Sequence, residues 1–321
     1  MRLLFRLAFL LVLAGCAQLA GAQSFPSRPV RVVIGFPPGG GIDIVARIIA
    51  PKLSEALGQP VLVENKPGAG GSLGTDIVAK AAPDGHTIFL GTTGNISINP
   101  IFMTNLPFNM ERDLMPLTQV ASVSFLLYSN AAFAPKDLRE LIAYAKANPG
   151  KVNFCSSSTG GLPHLAGELL NTLAGVNTVH IPYKGSAACL NDLMGGQVQF
   201  DFDAVAIGLP HVKSGRLRAL ATTGPKRLSF LPEIPAANET LPGFEVVNWY
   251  GMLVPAGTPR EAVSRLQREI ARVMEIPEIR DKLIAQATDP VGSKPEEFGA
   301  FMKAETVKWA RVIKSANVKP E

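Results

Sequence analysis

Two glycine-rich loops carry the clearest chemical signal in the sequence. The first reads Gly-Phe-Pro-Pro-Gly-Gly-Gly-Ile-Asp over residues 35–43, and the second reads Ser-Ser-Ser-Thr-Gly-Gly over residues 156–161. Each loop follows an apolar run typical of a buried strand and precedes a helical pattern. Because the first turn of a helix has unpaired backbone N–H groups and the positive end of the dipole, each loop suits an anion.

The two loops occupy equivalent places in the chain. In open α/β sheets, ligands bind outside the carboxyl ends of the strands. If two lobes face each other, both helices begin in one cleft, and Ser157, Ser158 and Thr159 add hydroxyl groups. The sequence therefore predicts a carboxylate that is held between the loops without an arginine. The alternative is that both loops are only tight connections between a strand and a helix.

The other glycine patterns give weaker evidence of a function. Gly39-Gly40-Gly41 is not a dinucleotide-binding Gly-x-Gly-x-x-Gly, and no Walker-type Gly-Lys-Ser/Thr occurs. Residues 70–74 have the Gly-x-Ser-x-Gly pattern of a hydrolase nucleophile elbow. The strand predicted at Val61–Glu64 ends well before Ser72, however, so a flexible loop is favoured. An exported hydrolase that uses Ser72 or a serine of the second loop is the catalytic alternative.

Several polar residues near the loops have two interpretations. His164, in the first turn of the second helix, either donates to a ligand or holds the loop, and the second role is favoured. Glu168 follows at a spacing of four and can pair with it. Asp43 either caps the first helix, which is favoured, or meets a ligand amine, and Asp201 and Asp203 have the same two roles open.

Two aromatic residues complete the candidate set. Phe36 is either a lid over a ligand or a core residue. Tyr183 begins a Tyr-Lys-Gly loop after a predicted strand, and it either lines the cleft or lies half-buried at the surface. No His-Glu-x-x-His, paired Cys-x-x-Cys or convincing Ser/His/Asp set occurs. We therefore expect no metal and no cofactor.

The first 22 residues predict export. Arg2 and Arg6 precede a short apolar core at residues 7–14, and Ala20-Gly21-Ala22 fits a signal peptidase site. Leu13-Ala14-Gly15-Cys16 also resembles a lipobox, in which Cys16 would carry lipid. A soluble product is favoured, and both outcomes export the protein. No other apolar run is long enough for a transmembrane helix.

The net charge limits the classes of binding partner, and the cysteine content bears on a possible disulfide. Without Arg2 and Arg6, the formal charge of the 321-residue chain falls from +5 to +3. That small charge, with no run of Lys or Arg, argues against nucleic acid. In an oxidising compartment, Cys155 and Cys189 either form a disulfide or remain two buried thiols.

Strands and helices alternate along the body of the chain. That alternation predicts α/β architecture with largely parallel sheets, and the length suggests two lobes around a cleft. We expect residues 23–122 and 248–321 in domain 1 and residues 123–247 in domain 2. Helix-capping boxes are predicted at residues 258–261 and 293–296. The predicted strands are Val30–Ile34, Val61–Glu64, Thr87–Leu90, Ala121–Ser129, Val152–Cys155, Thr178–Ile181, Val198–Phe202, Leu217–Ala221 and Val246–Val254.

An ordered set of short motifs resembles a known family over essentially the whole mature chain. The motifs are Phe-Pro-Pro-Gly-Gly at 36–40, Val-Glu-Asn-Lys-Pro-Gly-Ala-Gly-Gly at 63–71, Pro-Asp-Gly at 83–85, Pro-Tyr-Lys-Gly at 182–185, Leu-Met-Gly-Gly-Gln-Val at 193–198 and Gly-Arg-Leu-Arg-Ala-Leu at 215–220. Together they are similar to the Bug family, the TctC-type substrate-binding proteins of tripartite tricarboxylate transporters.

The resemblance implies a type II-like, two-lobed periplasmic binding protein without catalysis. Such a protein passes a small carboxylate to membrane permease subunits, and we expect a monomer. A sensory receptor is a further alternative. Ala204 stands where family members often have Asn, so we expect one ligand contact of the family to be missing. The resemblance places ligand-binding roles on Phe36, Pro38, Gly39, Gly40, Asp43, Ser157, Thr159 and His164, and weaker ones on Asn65, Thr92 and Thr93.

Overall fold

The computed structural model describes residues 25–103, 105–183 and 185–318. The predicted signal segment and Cys16 lie outside these residues. The strands of the described chain are β1 (Val30–Ile34), β2 (Val61–Asn65), β3 (Thr87–Thr92), β4 (Leu114–Asn130), β5 (Asn153–Ser156), β6 (Val179–Pro182), β7 (Phe200–Ala204), β8 (Leu217–Thr222), β9 (Val247–Pro255) and β10 (Asp289–Pro290).

Helices connect most of these strands. The α-helices are α1 (Gly41–Leu57), α2 (Ser72–Ala79), α3 (Asn99–Phe102), α4 (Met110–Asp113), α5 (Leu138–Ala147), α6 (Leu162–Ala174), α7 (Ser186–Met194), α8 (Val205–Lys213), α9 (Ala237–Thr240), α10 (Arg260–Glu275), α11 (Pro277–Ile284) and α12 (Pro295–Ser315). A 3-10 turn at Ala69–Gly71 precedes α2, and a π-helical turn at Gly94–Ile98 precedes α3. Among the described residues, no helix combines the length and apolar character needed to cross a membrane.

Two parallel units form the ends of one continuous sheet, whose strand order is β2-β1-β3-β9-β4-β7-β5-β6. Strand β1 runs parallel to β2 and β3, and β5 runs parallel to β6 and β7. Between the two units, β9 pairs antiparallel with both β3 and β4. Strands β8 and β10 pair with β4 beside this path. The α/β class predicted from the alternating pattern is confirmed.

Strand β4 connects the two parallel units. Its residues 114–124 pair with β9, and its residues 125–130 pair with β7 and β8. The predicted strand, Ala121–Ser129, contained only part of this element. Irregularities in the pairing between Pro116 and Thr118 allow the strand to continue through a proline. The domain limits near residues 122 and 248 stay a prediction.

The C-terminal helix contributes to two separate cores. Phe298 of α12 packs with Trp249, Val33 and Phe89 beside the first parallel unit. Trp309, later in α12, packs with Phe154 and other residues of the second unit. Because these two side chains are fully buried, the helix holds the two halves of the sheet together along their side.

Both predicted capping boxes are wrong in detail. Helix α10 begins after Pro259 with no side-chain cap, because the Thr258 hydroxyl donates to the Pro255 carbonyl at 2.7 Å. Helix α12 begins after Lys294, whose N–H donates to Glu297 at 3.0 Å. The Ser293 hydroxyl instead accepts the backbone N–H of Gln119 at 3.0 Å, a partner in β4.

Candidate functional site

The two glycine-rich loops end in the same backbone geometry. Gly40 precedes α1 and Gly161 precedes α6, each in an extended conformation. The residue before each of them has a left-handed backbone, with φ of +87° at Gly39 and +72° at Gly160. Glycine adopts this conformation without the steric penalty of a side chain, so the residue type at both positions follows from the turn.

The two loops also share one hydrogen bond. The Gly39 N–H donates to Oδ2 of Asp43 at 2.9 Å, and the Gly160 N–H donates to Nδ1 of His164 at 3.0 Å. Each acceptor lies four residues later, in the first turn of the helix. This hydrogen bond fits the favoured interpretation of His164, in which the side chain holds the loop. Glu168 lies 3.6 Å from Nε2 of His164, as the spacing predicts.

Asp43 is the centre of the network beneath the first loop. It is buried and accepts hydrogen bonds from Arg47 and from the Asn65 amide, each at 3.0 Å. Burial raises the pKa of Asp43, but the hydrogen bonds from Arg47, Gly39 and Asn65 outweigh burial and lower the pKa below its usual value. Asn65 also donates to the carbonyl of Phe36 at 3.1 Å. These hydrogen bonds fix the conformation of the first loop.

A pocket of about 360 Å³ opens beside the first loop. Four of the predicted residues, Phe36, Pro38, Gly40 and Thr92, line it; its full lining is Phe36, Pro37, Pro38, Gly40, Gly41, Ile42, Thr92, Asn248 and Tyr250. Sequence reasoning missed Asn248 and Tyr250, which belong to β9. Strand β9 pairs with β3 so that Tyr250 lies opposite Thr92. No local pattern signals that pairing, because the two residues are far apart in the chain.

Thr93 has a structural role, since its side chain connects two strands. Its side chain is fully buried, donates to the carbonyl of Val247 at 3.3 Å and accepts the N–H of Trp249 at 2.9 Å. The residue thus joins the end of β3 to the start of β9 and does not line the pocket.

A chain of side chains supports the second loop. The Ser156 hydroxyl lies 2.6 Å from Nε2 of His180 and donates to the carbonyl of Ser158 at 2.9 Å. The His180 ring stacks on His164 with 3.6 Å between centroids. Burial, and then the nearby His164, lower the pKa of His180 to about 3. Sequence reasoning assigned no chemical role to His180, because this contact depends on how β5, β6 and α6 pack together.

Tyr183 lies next to the second loop without turning its hydroxyl toward it. Its backbone N–H donates to the carbonyl of Ser156 at 3.0 Å, and the N–H of Gly185 donates to the carbonyl of Ser157 at 2.9 Å. The Tyr183 hydroxyl bonds to Asp192 in α7 at 2.5 Å. This hydrogen bond to Asp192 raises the pKa of the phenol to about 12. Ser157 and Thr159 are half-buried in the loop.

A disulfide lies directly behind the second loop. The sulfur atoms of Cys155 and Cys189 are bonded, and they join the end of β5 to α7. Of the two interpretations of these cysteines, the disulfide is the one present. Asp201 lies beside the disulfide, and both of its oxygens are buried without a hydrogen-bond partner in the described chain. Burial, and then the charge of Asp203, raise the pKa of Asp201.

Asp203 lies two residues after Asp201 in β7. It is buried, and its carboxylate accepts the N–H of Ala204 at 2.7 Å. Burial raises its pKa above the usual value. The lining of the pocket beside the first loop includes neither Asp203 nor any residue of the second loop, so a single clamp built from both loops stays a prediction.

Helix α3 contacts the loops of both parallel units. The Asn99 amide donates to the carbonyl of Gly70 at 3.0 Å in the loop after β2. On the other side, a Cβ added to Gly160 would lie 3.3 Å from the ring of Phe102. The second loop therefore packs closely on α3, and a larger residue at position 160 would force the two apart.

Comparison with known proteins decides the family. The family model described as tripartite tricarboxylate transporter family receptor matches residues 45–318. The chain belongs to this family. Its curated relatives include Protein BugT of Bordetella pertussis, with 35% identity over 99% of this chain and 98% of that protein. Another is the UPF0065 protein in the tcbD-tcbE intergenic region of Pseudomonas sp. (strain P51), with 39% identity over 91% of this chain and 87% of that protein.

Solved structures of this family share the two-lobed periplasmic binding protein fold. Periplasmic binding protein BugD is 35% identical, with a TM-score of 0.73, over 92% of this chain and 100% of BugD. A protein of R. palustris solved with adipate is 32% identical, with a TM-score of 0.77, over 93% and 100% of the two chains. MatC from Rhodopseudomonas palustris, with bound malate, is 31% identical, with a TM-score of 0.72, over 90% of this chain and 100% of MatC.

Proposed function

We propose that this protein is an exported, periplasmic receptor that captures a small carboxylate for a tripartite tricarboxylate-type transporter. The membrane permease subunits would be its partners, and the receptor would act as a monomer without cofactor or catalysis. Similar proteins were solved with adipate and malate, both carboxylates. Ligand binding would favour a closed arrangement of the two lobes, since binding at a cleft stabilises the state that contacts the ligand on both sides.

The observation that carries the proposal is the matched pair of loops. In both, a left-handed glycine and a side chain from the first helical turn fix the backbone before the helix begins. The following N–H groups have no partner inside the helix and lie at the positive end of its dipole. A micromolar affinity corresponds to roughly 8 kcal/mol, which several N–H contacts in a water-poor cleft can supply.

The proposed site residues divide into two groups. One group would contact the ligand or line its cleft: Phe36, Pro38, Gly40, Thr92, Ser157, Thr159, Tyr183 and Asp203. The other group would shape the loops and their surroundings: Gly39, Asp43, Asn65, Thr93 and His164. The second group is set apart because the hydrogen bonds of its members hold the backbone of the loops or of the adjoining strands.

Calorimetry with purified protein tests the proposal. A thermal-shift panel of carboxylates would first identify a stabilising acid. Gly40→Val, which blocks the approach to the backbone, and Ser157→Ala, which removes a hydroxyl, should then each weaken binding of that acid about tenfold. Ser264→Ala, at an exposed position of α10, is the matched control. Wild-type affinity in both loop variants would show that the site is elsewhere.

The hydrolase alternative has one observation in its favour, the contact between Ser156 and His180. The Ser156 hydroxyl also bonds to the Ser158 carbonyl, however, and the pKa of His180, lowered to about 3, makes its ring a weak base. Ser72 begins α2 and contacts the sulfur of Met103 at 3.6 Å. Turnover of ester substrates that Ser156→Ala or Ser72→Ala abolishes would support a hydrolase.

A sensory receptor would use the same binding site. Ligand binding alone cannot separate this alternative from transport. Deletion of the gene, followed by uptake of the identified acid and by transcription assays, distinguishes them. Loss of uptake supports the transport role, and loss of a transcriptional response with normal uptake supports sensing.

A further inference from the structure

A groove of about 640 Å³ lies between α6 and α12. Its lining includes Leu169 and Val312, which are buried, and Leu173 and Val307, which are 39% and 50% exposed. Exposed apolar side chains that border a concave surface are typical of interaction sites, because a partner that covers them removes apolar area from water. None of the described lining residues belongs to the two glycine-rich loops, so the α6–α12 groove is separate from the proposed carboxylate site.

The α6–α12 groove also carries positive charge. Lys303 and Arg311 line it one turn before and one turn after Val307 in α12. Both are exposed, and neither forms an ion pair with a described residue. Lys308, another basic residue of the lining, is engaged by the Glu305 carboxylate. Because none of the described lining residues is acidic, the charge of Lys303 and Arg311 is available to an acidic partner.

The spacing of these two cations defines what such a partner must present. Lys303 and Arg311 are eight residues apart, which is roughly 12 Å along a helix axis. A partner that pairs with both needs two carboxylates at about that distance, with apolar side chains between them to cover Val307. An amphipathic helix with acidic residues two turns apart has this pattern, and a groove that receives the apolar face of a helix is a recurring mode of recognition.

The shape of the groove favours a protein segment over a lipid surface or a small molecule. Basic clusters that attract anionic lipids usually contain about four to eight Lys or Arg residues, whereas this groove offers two free cations. The buried side chains of Leu169 and Val312 also lie where a flat bilayer surface would not reach. A small-molecule site encloses most of its ligand, but Leu173 and Val307 remain open to solvent.

We propose that the α6–α12 groove is a docking surface for an acidic amphipathic helix of a protein partner. Lys303 and Arg311 would pair with its carboxylates, and Val307 would contact its apolar face. The proposal rests on the proposed function, since a receptor of that kind has to be recognised by the membrane permease. It goes beyond the proposed function because it assigns this recognition to a surface that is separate from the carboxylate site.

Uptake by intact cells, measured beside ligand binding, tests the docking surface. A strain without the gene is complemented with wild type or variant, and the acid is one that the thermal-shift panel identifies. Lys303→Glu/Arg311→Glu reverses two exposed charges, so it should reduce the initial uptake rate at least tenfold while the Kd for the acid and the melting temperature are retained. Arg139→Glu/Lys146→Glu, at two exposed positions of α5, is the matched control and should leave uptake unchanged.

A second variant tests the apolar contact without a change in charge. Val307→Ser, at a half-exposed position, should reduce uptake several-fold with the same Kd for the acid. Wild-type uptake in this variant or in the charge reversal overturns the docking surface and leaves the proposed function standing. A charge reversal that weakens binding of the acid in the calorimeter also contradicts the proposal, because the loss of uptake then arises at the carboxylate site.

Two further outcomes concern the partner. Wild-type protein that co-sediments with vesicles of phosphatidylcholine and phosphatidylglycerol, and loses this binding on charge reversal, would assign the groove to a lipid surface and overturn the proposal. If purified wild-type protein binds the acid but the complemented cells take none up, the transport role and the docking surface both fail, whereas carboxylate binding stands.

Discussion

At the scale of single residues, His180 shows how burial sets a protonation state. Its ring stacks on His164 and shares a hydrogen bond with the Ser156 hydroxyl, which also bonds to the Ser158 carbonyl. A charged His180 would lose water and face a second imidazole. For these reasons the pKa of His180 is lowered to about 3. The neutral ring is therefore part of the folded structure of the second loop.

The lowered pKa of His180 predicts a loss of stability in acid. The unfolded chain takes up a proton on this ring near pH 6.5, whereas the folded chain does not until about pH 3. The contribution is therefore complete above pH 6.5 and is lost as the pH falls toward 3. The loss of stability from this group between pH 7 and pH 5 should amount to about 1 kcal/mol, after allowance for the partial exposure of the ring.

The variant His180→Gln tests this pH dependence. Its amide can still form a hydrogen bond with Ser156 but does not titrate. Urea unfolding at pH 7 and pH 5 should show a smaller loss of stability in the variant than in the wild type. At pH 8, above the range in which the unfolded histidine titrates, the two proteins should respond to pH alike. An equal loss in both proteins between pH 7 and pH 5 would rule out His180 as the source.

At the scale of elements, the disulfide between Cys155 and Cys189 connects β5 to α7 behind the second loop. The bond closes a loop of 34 residues in sequence. A covalent link of that length restricts the unfolded chain, and its loss should cost about 3–4 kcal/mol. We expect the free energy of unfolding to fall by that amount when a dithiol reductant opens the bond in the wild type.

The double variant Cys155→Ala/Cys189→Ala provides the control for the reductant. It should be less stable than the oxidised wild type and should not respond to the dithiol at all. Because both sulfur positions are fully buried, the variant also loses packing, so the effect of the reductant on the wild type isolates the cross-link. Equal stability of the oxidised and reduced wild-type protein would contradict the prediction.

Elements with local signals could be predicted from the sequence. Helix α5 has local signals at both ends, because the Asp137 side chain caps its first turn and Asn148-Pro149-Gly150 follows its last. The strand–loop–helix units around Gly39 and Gly160 were also predicted, since glycine, the preceding apolar run and the helical pattern are all local. These signals gave the α/β class and the two candidate loops.

Elements that depend on distant partners could not be predicted in the same way. Ser293 looked like a helix cap, but its hydroxyl is taken by Gln119, which is 174 residues away in the sequence. Tyr250 and Asn248 reach the pocket only because β9 lies beside β3. The contact of His180 with His164 likewise requires β6 and α6 to pack together. Pairing of this kind depends on the whole fold, and the spacing of residues in the sequence does not indicate it.

At the scale of the whole molecule, Glu305 joins the two cores. This residue of α12 is only 6% exposed. Its Oε2 atom accepts the indole N–H of Trp249 at 3.1 Å and that of Trp309 at 3.0 Å. Trp249 packs with Phe298 in one core, and Trp309 packs in the other. Lys308 lies against the same carboxylate and balances its charge.

Removal of the Glu305 carboxylate should destabilise the protein strongly. Glu305→Ala leaves two buried indole donors without their acceptor and removes the carboxylate that balances the charge of Lys308, so we expect a loss of about 3–5 kcal/mol in the free energy of unfolding. Glu305→Gln retains one acceptor oxygen and should lose less. The chain has two tryptophans, and both bond to this carboxylate, so fluorescence emission reports on the site directly.

Chemical unfolding followed by tryptophan emission provides the measurement. Glu296→Ala, at an exposed position in the first turn of the same helix, is the control and should change stability by no more than about 0.5 kcal/mol. A Glu305→Ala protein with wild-type stability and emission would show that the carboxylate does not connect the cores. A destabilised Glu305→Ala beside a milder Glu305→Gln would show instead that one buried acceptor holds α12 to both halves of the sheet.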